Sequence, residues 1–421
     1  MESKQTKALG PSTQRRTVLK TGALVAGSAV LGLPGLVSAA QGPIKVGHLT
    51  PMTGFLGVLG NYAKMGAQLA AEEINAAGGV LGRKLDVMSE DSVNPQVASQ
   101  KAQRMIEQDH VNFLMGEINS ASALTISQVA ARNKTLFMDS GARSDALRSK
   151  DCNRYTFHVD IPVTVMVNTV GQALLRDHMV KGKRIFSLTA DYLFGHDLSK
   201  GAKKFFAANG GQQVGDELVA TDVTDFSPYL LKIRQAKPDL VATNLAGNQV
   251  TNFIKQYAEF GLPYPVAGFN LNNADAWAAG EGNLSGIWPT SWHQDLQTPG
   301  SQAFVAAFKK KYGKIPENHA WVDYVTLKIL AQAMTATQST DTDKLIKYLE
   351  SGAQFDILKA RKGYFRAWDH QLMQEAYPFT VKPKGQAKDP QDFLLFGEAV
   401  PAPNQPLELL APTKADNTCV M

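Results

Sequence analysis

Residues 44–87 read IKVGHLTPMTGFLGVLGNYAKMGAQLAAEEINAAGGVLGRKLDV, and this stretch decides the fold class. It opens with the strand-like run Ile44–Thr50 and continues into a predicted helix, residues 62–77, that stops at the pair Gly78-Gly79. Residues 84–90 then predict a second strand. A strand, a helix and a second strand in this order form the unit from which parallel sheets covered by helices are built.

The same alternation continues along the chain in two runs of similar length. The first run ends with a predicted strand at residues 135–140, and the second extends from a helix at residues 163–178 to a strand at residues 265–269. Within the second run we also predict strands at residues 184–189, 213–220 and 239–245 and a helix at about residues 227–236. The segments that follow contain too few strands for a sheet of their own, so we expect them to complete the first two. We therefore predict an α/β protein with two Rossmann-like lobes. The later segments are predicted as the strands 284–292, 362–368 and 374–381, the helices 300–312, 318–337 and 341–351, and a tail from Lys382 that wraps the surface.

The distribution of charge argues against nucleic acid as a partner. The chain has 421 residues and a formal net charge of +5 at pH 7. Residues 1–39 contribute +4 of this charge, because they hold five basic residues and one acidic residue. After residue 39 there are 38 basic and 37 acidic residues, so the body of the protein is nearly neutral and offers no basic face.

The first 39 residues are typical of an export signal. Arg15 and Arg16 precede Val18-Leu19-Lys20, as in twin-arginine signals, and a modestly apolar stretch follows at residues 21–36. This stretch is short and is interrupted by glycine and proline, which disfavours the alternative of a membrane anchor. We expect residues 1–39 to be a signal peptide of the twin-arginine type, cleaved near Ala39, and the mature protein to be free in the periplasm.

Cys152 and Cys419 are the two cysteines of the chain. In an oxidising compartment we expect a disulfide between them, which would fasten the C-terminal tail to the body of the protein. The alternative is a pair of inert thiols.

An exported enzyme is the main alternative of a different class. Two cysteines far apart in the chain do not ligate an iron–sulfur cluster, and there is no C-x-x-C-H haem motif. The eight histidines show neither H-E-x-x-H nor another paired spacing for zinc, and the sequence contains no G-x-S-x-G or phosphate-binding loop motif. We expect no catalytic residues, no metal and no cofactor.

Residues 44–87 closely resemble the opening of type I periplasmic solute-binding proteins, and in particular the Leu/Ile/Val-binding branch of ABC importers. The motifs MGEINSASAL at 115–124, LTADYLFGHD at 188–197 and TDFSPYLLKIRQAKPDLV at 224–241 continue this resemblance, which covers roughly residues 44–380. It implies two lobes that are joined by three crossover strands and close on a small solute in the cleft between them. The solute, an amino acid or another carboxylate-bearing compound, would then be delivered to a membrane permease.

The resemblance also implies how the chain is divided. The crossings should fall near residues 158–160, 287–290 and 366–368. The lobes so implied are an N-terminal lobe of residues 44–158 and 290–366, a C-terminal lobe of residues 159–289 and 367–400, and a tail of residues 401–421. Members of this family are typically monomers. A binding protein that serves a sensor or a chemoreceptor instead of a permease would have the same fold, and it remains a second alternative.

The segment Gly116–Leu124 stands where a strand is followed by a helix, and ligands of such sheets bind at this edge. The first N–H groups of a helix lack partners within the helix and favour an anion. The resemblance implies that Ser120, beside Asn119, binds the carboxylate of the solute, and that the loop with Gly141 and Arg143 supplies further contacts. The alternative for Ser120 is a plain helix cap.

Arg143 and Asn270 depart from the pattern of amino-acid binders. These proteins usually place a small hydroxyl residue at the first position and an ammonium-binding carboxylate at the second. A guanidinium can hold a carboxylate with two hydrogen bonds, whereas an asparagine cannot balance a positive charge. We therefore expect a carboxylate solute with an uncharged, aromatic or aliphatic remainder. A register shift of one residue would instead let Asp275 or Asp191 supply the missing charge.

Several apolar and aromatic residues are candidates for the walls of the cleft. Each has the alternative of ordinary packing. Phe194 stands at the position of a tyrosine in amino-acid binders, and Ala246 stands where an aromatic residue often closes the site. The remaining candidates are Tyr192, Phe55, Leu59, Trp288 and Trp292.

Overall fold

The computed structural model describes residues 42–421, and its first sheet has five parallel strands in the order β2-β1-β3-β4-β5. The sequence predicted four of these strands and missed β5, which is only three residues long. Central strand β1 is almost entirely buried, as expected for a parallel sheet covered on both faces. The elements are β1 (Ile44–Thr50), α1 (Gly57–Ala76), β2 (Leu85–Asp91), α2 (Pro95–Glu107), β3 (Phe113–Gly116), α3 (Ser120–Arg132), β4 (Phe137–Asp139) and β5 (Thr156–His158).

The second sheet has four parallel strands in the order β7-β6-β8-β9. All four were predicted, and the predicted helix at residues 227–236 is confirmed at both ends. The short helix α8 was not predicted, because it has only seven residues. The elements are α4 (Val163–Arg176), β6 (Arg184–Ala190), α5 (Leu193–Ala208), β7 (Gln212–Val219), α6 (Ser227–Ala236), β8 (Leu240–Asn244), α7 (Asn248–Glu259), β9 (Val266–Gly268) and α8 (Asn273–Ala279).

Three later helices follow the second sheet, and the longest of them, α10, packs against α1 of the first sheet. The two helices approach closely at Gly66, where an added Cβ would lie 2.0 Å from the carbonyl oxygen of Ala320. Tyr312, the last residue of α9, also contacts α1, because its hydroxyl donates to the carbonyl oxygen of Met65 at 2.9 Å. The helices are α9 (Pro299–Tyr312), α10 (Asn318–Thr337) and α11 (Thr342–Leu349).

The last strands link the two parallel sheets. Single bridges join Gln371 to His158, at the edge of the first sheet, and Ile287 to Ala267, at the edge of the second. The chain therefore returns to the edge of each parallel sheet after β9 has completed the second sheet. The predicted strand at residues 284–292 is much shorter, because only residues 288–290 pair with a neighbour. The strands are β10 (Trp288–Thr290), β11 (Tyr364–Phe365), β12 (Leu372–Met373), β13 (Tyr377–Val381) and β14 (Leu394–Phe396).

The C-terminal tail is fastened to the body by the expected disulfide, which joins Cys152 to Cys419. Beside it, the amide of Asn417 donates to the carbonyl oxygen of Arg148 at 3.1 Å. The side chain of Asn168, on α4, donates to the carbonyl oxygen of Leu410 at 2.8 Å. The tail is therefore bonded both to Arg148, which precedes β5, and to α4, which follows β5.

The expected signal peptide, residues 1–39, lies outside the described residues. Within residues 42–421, no helix combines the length and the apolar character that a membrane span needs.

Candidate functional site

A small cavity lies where the loops that follow the strands of the two sheets meet. Its volume is about 20 Å³, little more than the space one water molecule occupies. The ends of parallel strands are where ligands of such sheets bind. Seven of the twelve candidate ligand contacts named from the sequence line it: Leu59, Gly141, Arg143, Tyr192, Phe194, Ala246 and Asn270. Leu56, Ile118, Asn272 and His319 also line it and were not predicted.

Ser120 and Asn119 begin α3 but are not among the residues that line the cavity. Asn119 caps the helix, because its Oδ1 accepts from the backbone N–H groups of Ala121 and Ser122 at 2.9 and 3.3 Å. Ser120 is fully buried, and its Oγ accepts from the backbone N–H of Ser144 at 3.2 Å. The hydroxyl of Ser120 thus ties α3 to the loop that carries Arg143.

Glu117 supports the loop between β3 and α3, and sequence reasoning missed it. Its Oε1 accepts from the backbone N–H groups of Ile118 and Asn119 at 3.0 and 2.8 Å, whereas its Oε2 has no hydrogen-bond partner among residues 42–421. Burial raises the pKa of this carboxyl to about 7. The backbone N–H of Gly141 donates to the carbonyl oxygen of Glu117 at 3.0 Å, which brings the two loops together.

Arg143 is buried and lies in the wall of the cavity, so the alternative of a surface arginine is wrong. Its Nε donates to Oδ2 of Asp160 at 2.7 Å, and its Nη1 donates to Oδ1 of Asn270 and of Asn272 at 2.9 and 3.1 Å. Burial acts to raise the pKa of Asp160, but the charge of Arg143 and the hydrogen bonds to the carboxylate outweigh it, and the pKa lies below its usual value. The guanidinium therefore joins a loop of the first sheet to a loop of the second.

Asn270 and Asn272 follow β9 and line the cavity. Asn270 accepts from Arg143 and donates through Nδ2 to the carbonyl oxygen of Leu245 at 3.1 Å. Asn272 donates through Nδ2 to Oδ2 of Asp275 at 3.0 Å, and burial raises the pKa of Asp275 to about 6. Asp191, the other candidate for a charge here, is half exposed and pairs with His196 at 2.9 Å. Neither aspartate lines the cavity.

An aromatic contact lies beside the cavity. Phe55, from the loop before α1, packs edge-to-face on Tyr192 with ring centroids 5.4 Å apart, and Tyr192 in turn contacts Phe194 at 5.9 Å. Gly247 has a positive φ of 53°, and an added Cβ would lie 2.2 Å from the carbonyl oxygen of Phe55. Phe55 therefore touches the second half of the protein through its ring and its backbone, although it does not line the cavity.

Trp288 and Trp292 are not cavity walls, and that expectation was wrong. Both side chains are fully buried in the hydrophobic core. Trp288 packs over Gly268, where an added Cβ would lie 1.8 Å from the indole ring. Trp292 stacks on Trp321 with ring centroids 6.3 Å apart. The large apolar area of tryptophan explains why both are used in the core.

His319 lies in the first turn of α10 and is almost completely buried. Its Nδ1 is 3.2 Å from Oε2 of Glu317, and its Nε2 has no hydrogen-bond partner within residues 42–421. No sequence motif marks this residue, because α10 belongs to the part of the chain that follows both sheets. Within the described part of the chain, no group of three or more His, Cys, Asp or Glu side chains is arranged to hold a metal ion.

Two parallel sheets linked by the last strands of the chain, with polar and aromatic side chains meeting between the strand ends, define the class of two-lobed solute-binding proteins. The family model described as "Periplasmic binding protein" matches residues 43–387. The chain therefore belongs to the periplasmic binding protein family, which is a family of solute-binding proteins and not of enzymes.

Individual relatives agree with this membership. A "Leu/Ile/Val-binding protein homolog 7" of Brucella melitensis is 27% identical over 374 residues, which cover 85% of this chain and 90% of the relative. A periplasmic binding protein from Burkholderia mallei has a similar structure, with a TM-score of 0.82, 28% identity and coverage of 90% of this chain and 98% of that one. An amino acid ABC transporter substrate-binding protein from Pseudomonas fluorescens Pf-5 has a TM-score of 0.80 at 26% identity, with coverage of 91% and 100%.

Proposed function

We propose that this protein is the substrate-binding component of an ABC importer and that it captures a small organic carboxylate that lacks an α-ammonium group. The observation that carries the proposal is the position of Arg143, whose buried guanidinium lines the cavity and reaches Asn270 on the opposite side. The transport role draws on the relatives named above, one of which is a substrate-binding protein of an amino acid ABC transporter.

A carboxylate suits the donors at this site. Its two oxygens match the fork of a guanidinium, and hydrogen bonds between two charged groups are stronger than the bonds to the uncharged amides of Asn270 and Asn272 that they would replace. The start of α3 adds a positive electrostatic potential nearby. We place Gly141 and Arg143 in contact with the carboxylate, and Ser120 with Asn119 in the role of holding these loops in position.

An ammonium group finds no suitable partner here. Asn270 is neutral, Asp160 is already paired with Arg143, and Asp275 has a pKa raised to about 6 and lies behind Asn272. The rest of the lining is apolar or aromatic, with Leu59, Ala246, Phe194 and Tyr192 among its members. A solute with an uncharged aliphatic or aromatic remainder fits this composition.

Capture requires the two lobes to part and close again, because a cavity of about 20 Å³ is far smaller than any organic acid. The Phe55–Tyr192 contact would separate on opening and form again on closure, whereas the Arg143–Asn270 bond would give way to the carboxylate of the solute. We propose lobes of residues 44–158 with 290–366 and of residues 159–289 with 367–400. Closure of a monomer in the periplasm, after removal of residues 1–39, would present the permease with a shape it can recognise.

A thermal-shift screen tests the proposal. Amino acids, aliphatic and aromatic monocarboxylates and the corresponding amides are added to the purified protein. A ligand at one hundred times its Kd stabilises the folded state by about 2.7 kcal/mol, which is a visible shift. We expect stabilisation by one or more simple carboxylates and none by their amides. Stabilisation by leucine, with no effect of simple acids, contradicts the proposal.

A further inference from the structure

One polar atom in the wall of the cavity has no partner, and it points to a second contact with the solute. His319 is 1% exposed and lines the cavity, and its Nε2 accepts and donates no hydrogen bond among residues 42–421. A buried polar atom without a partner is costly, and in native proteins such atoms usually mark a bound water or a functional contact.

The neighbours of His319 fix which nitrogen faces the cavity. Glu317 caps α10, with its Oε1 accepting from the backbone N–H groups of His319 and Ala320 at 2.7 and 3.2 Å. Its other oxygen, Oε2, lies 3.2 Å from Nδ1 of His319. Because a carboxylate accepts hydrogen bonds, Nδ1 carries the hydrogen, and Nε2 is left to face the cavity.

The imidazole ring is also held from its other side. An added Cβ at Gly141 would lie 3.3 Å from Cδ2 of His319 and 2.9 Å from the carbonyl oxygen of Glu117. The ring therefore packs directly over the backbone of Gly141, and a larger residue would crowd it. This explains a glycine in the loop after β4 without any need for a positive φ.

His319 is connected to Arg143 through Asn318. With its amide oriented to satisfy both neighbours, Asn318 donates to Oε2 of Glu317 and accepts from Nη2 of Arg143, both at 2.7 Å. Arg143, Asn318, Glu317 and His319 thus form one hydrogen-bonded chain. Its two ends, the guanidinium of Arg143 and the imidazole of His319, line the cavity.

We infer that the solute carries a hydroxyl group as well as a carboxylate, and that Nε2 of His319 forms a hydrogen bond with this hydroxyl. The inference rests on the proposed function, since it places the carboxylate at Arg143. A hydroxyl both donates and accepts, so it satisfies Nε2 of a neutral imidazole and the Nε2–H of a protonated one. The imidazole thereby distinguishes a hydroxy acid from its parent acid, because the parent acid leaves Nε2 unpaired.

The test compares matched acids by isothermal titration calorimetry. The probes are propionate with its two monohydroxy derivatives, and benzoate with its three monohydroxy isomers. In the wild-type protein we expect at least one hydroxy acid to bind about tenfold more tightly than its parent acid. In His319→Phe the ratio should fall to within about twofold of unity. His319→Gln, which retains a polar end, should keep part of the preference.

Two results overturn the inference while leaving the proposed function intact. The first is that, in the wild-type protein, the parent acids bind as tightly as every hydroxy acid. Nε2 would then form its hydrogen bond with a water molecule and not with the solute. The other is a preference that His319→Phe does not change. Binding of amino acids but of no simple acid would instead contradict the proposed function.

A second measurement serves if His319→Phe does not fold. In wild-type protein labelled with ¹⁵N-histidine, the Nε2 resonance of His319 is assigned by its absence in His319→Gln. A hydroxy acid should shift this resonance, whereas its parent acid should shift it far less. Equal shifts with both acids overturn the inference.

Discussion

Nη1 of Arg143 donates to Oδ1 of Asn270 at 2.9 Å, although the two residues are 127 positions apart in the chain. Arg143 follows β4 of the first sheet and Asn270 follows β9 of the second, so this bond joins the two halves of the protein across the cavity. The same guanidinium donates through Nε to Asp160 at 2.7 Å. Removal of Arg143 should therefore affect the contact between the halves and the charge of Asp160, as well as the proposed binding of the solute.

These effects of Arg143 can be separated by a double variant. We expect Arg143→Gln to lower the free energy of unfolding by about 3 kcal/mol, because it leaves a buried carboxylate unpaired at Asp160. The affinity for the carboxylate solute should fall at least about thirtyfold. In Arg143→Gln/Asp160→Asn the stability should recover and the affinity should not. Denaturant titration and calorimetry measure the two quantities, and a double variant that binds like the wild type would remove Arg143 from the site.

Phe55 tests the role of the contact between the halves. We expect Phe55→Ala to weaken solute affinity by about three- to tenfold, because an edge-to-face pair contributes about 0.5–1.5 kcal/mol beyond its buried area. The change should appear as faster dissociation in stopped-flow measurements, since Phe55 does not line the cavity and the pair forms only on closure. Val58→Ala, at a half-exposed position one turn further along, is the matched control and should bind normally. An unchanged dissociation rate in Phe55→Ala contradicts the prediction.

The sequence predicted most of the fold because alternating strands and helices leave a strong local pattern. The bounds of α6 and α10 were predicted to the residue, whereas β5 and α8 were missed. β5 closely follows the mostly polar residues 150–154, which interrupt the apolar pattern, and α8 has only seven residues and carries little periodic signal. Such short elements are stabilised by tertiary contacts, here by the pairing of β5 with β4. The local sequence pattern therefore predicts long helices and strands better than it predicts short elements that depend on tertiary contacts.

The site was predicted in part for a related reason. Arg143 and Asn270, which line the cavity, were predicted from the resemblance to solute-binding proteins, and each follows a strand, at the edge to which parallel strands bring such positions. His319 was missed because it begins α10, and only the packing of α10 against α1 brings it to the same cavity. Trp288 and Trp292 were misassigned because an aromatic residue near a crossing looks the same in the sequence whether it faces a ligand or the core.

Glu117 makes stability depend on pH. Its folded-state pKa is raised to about 7 by burial, from an ordinary value of 4.5. The folded protein therefore holds a proton that the unfolded chain has released, and the free energy of unfolding falls as pH rises from about 4.5 to 7. The slope from one such group is at most about 1.4 kcal/mol per pH unit. Glu117→Gln, which keeps an acceptor for Ile118 and Asn119, should remove this contribution.

The measurement is denaturant unfolding at pH 4.5, 5.5, 6.5 and 7.5 for both proteins. Glu281→Gln, at an exposed position, is the control and should follow the wild-type curve. If the difference in stability between Glu117→Gln and the wild type is the same at all four pH values, the carboxyl is not protonated in the folded protein.

The disulfide between Cys152 and Cys419 should stabilise the protein strongly because the two cysteines are 267 residues apart. A cross-link over so long a loop restricts the unfolded chain, and the typical gain is about 2–4 kcal/mol. In the folded protein the tail remains attached without the bond, since Arg366 donates to the carbonyl oxygen of Pro412 at 2.8 Å and Asn168 to that of Leu410. We expect Cys152→Ser/Cys419→Ser to lose about 2–4 kcal/mol of unfolding free energy and to retain its solute affinity. Dithiothreitol should lower the stability of the wild type to that of the double variant and leave the variant unchanged. A loss of affinity in the double variant would show instead that the tail controls the movement of the lobes.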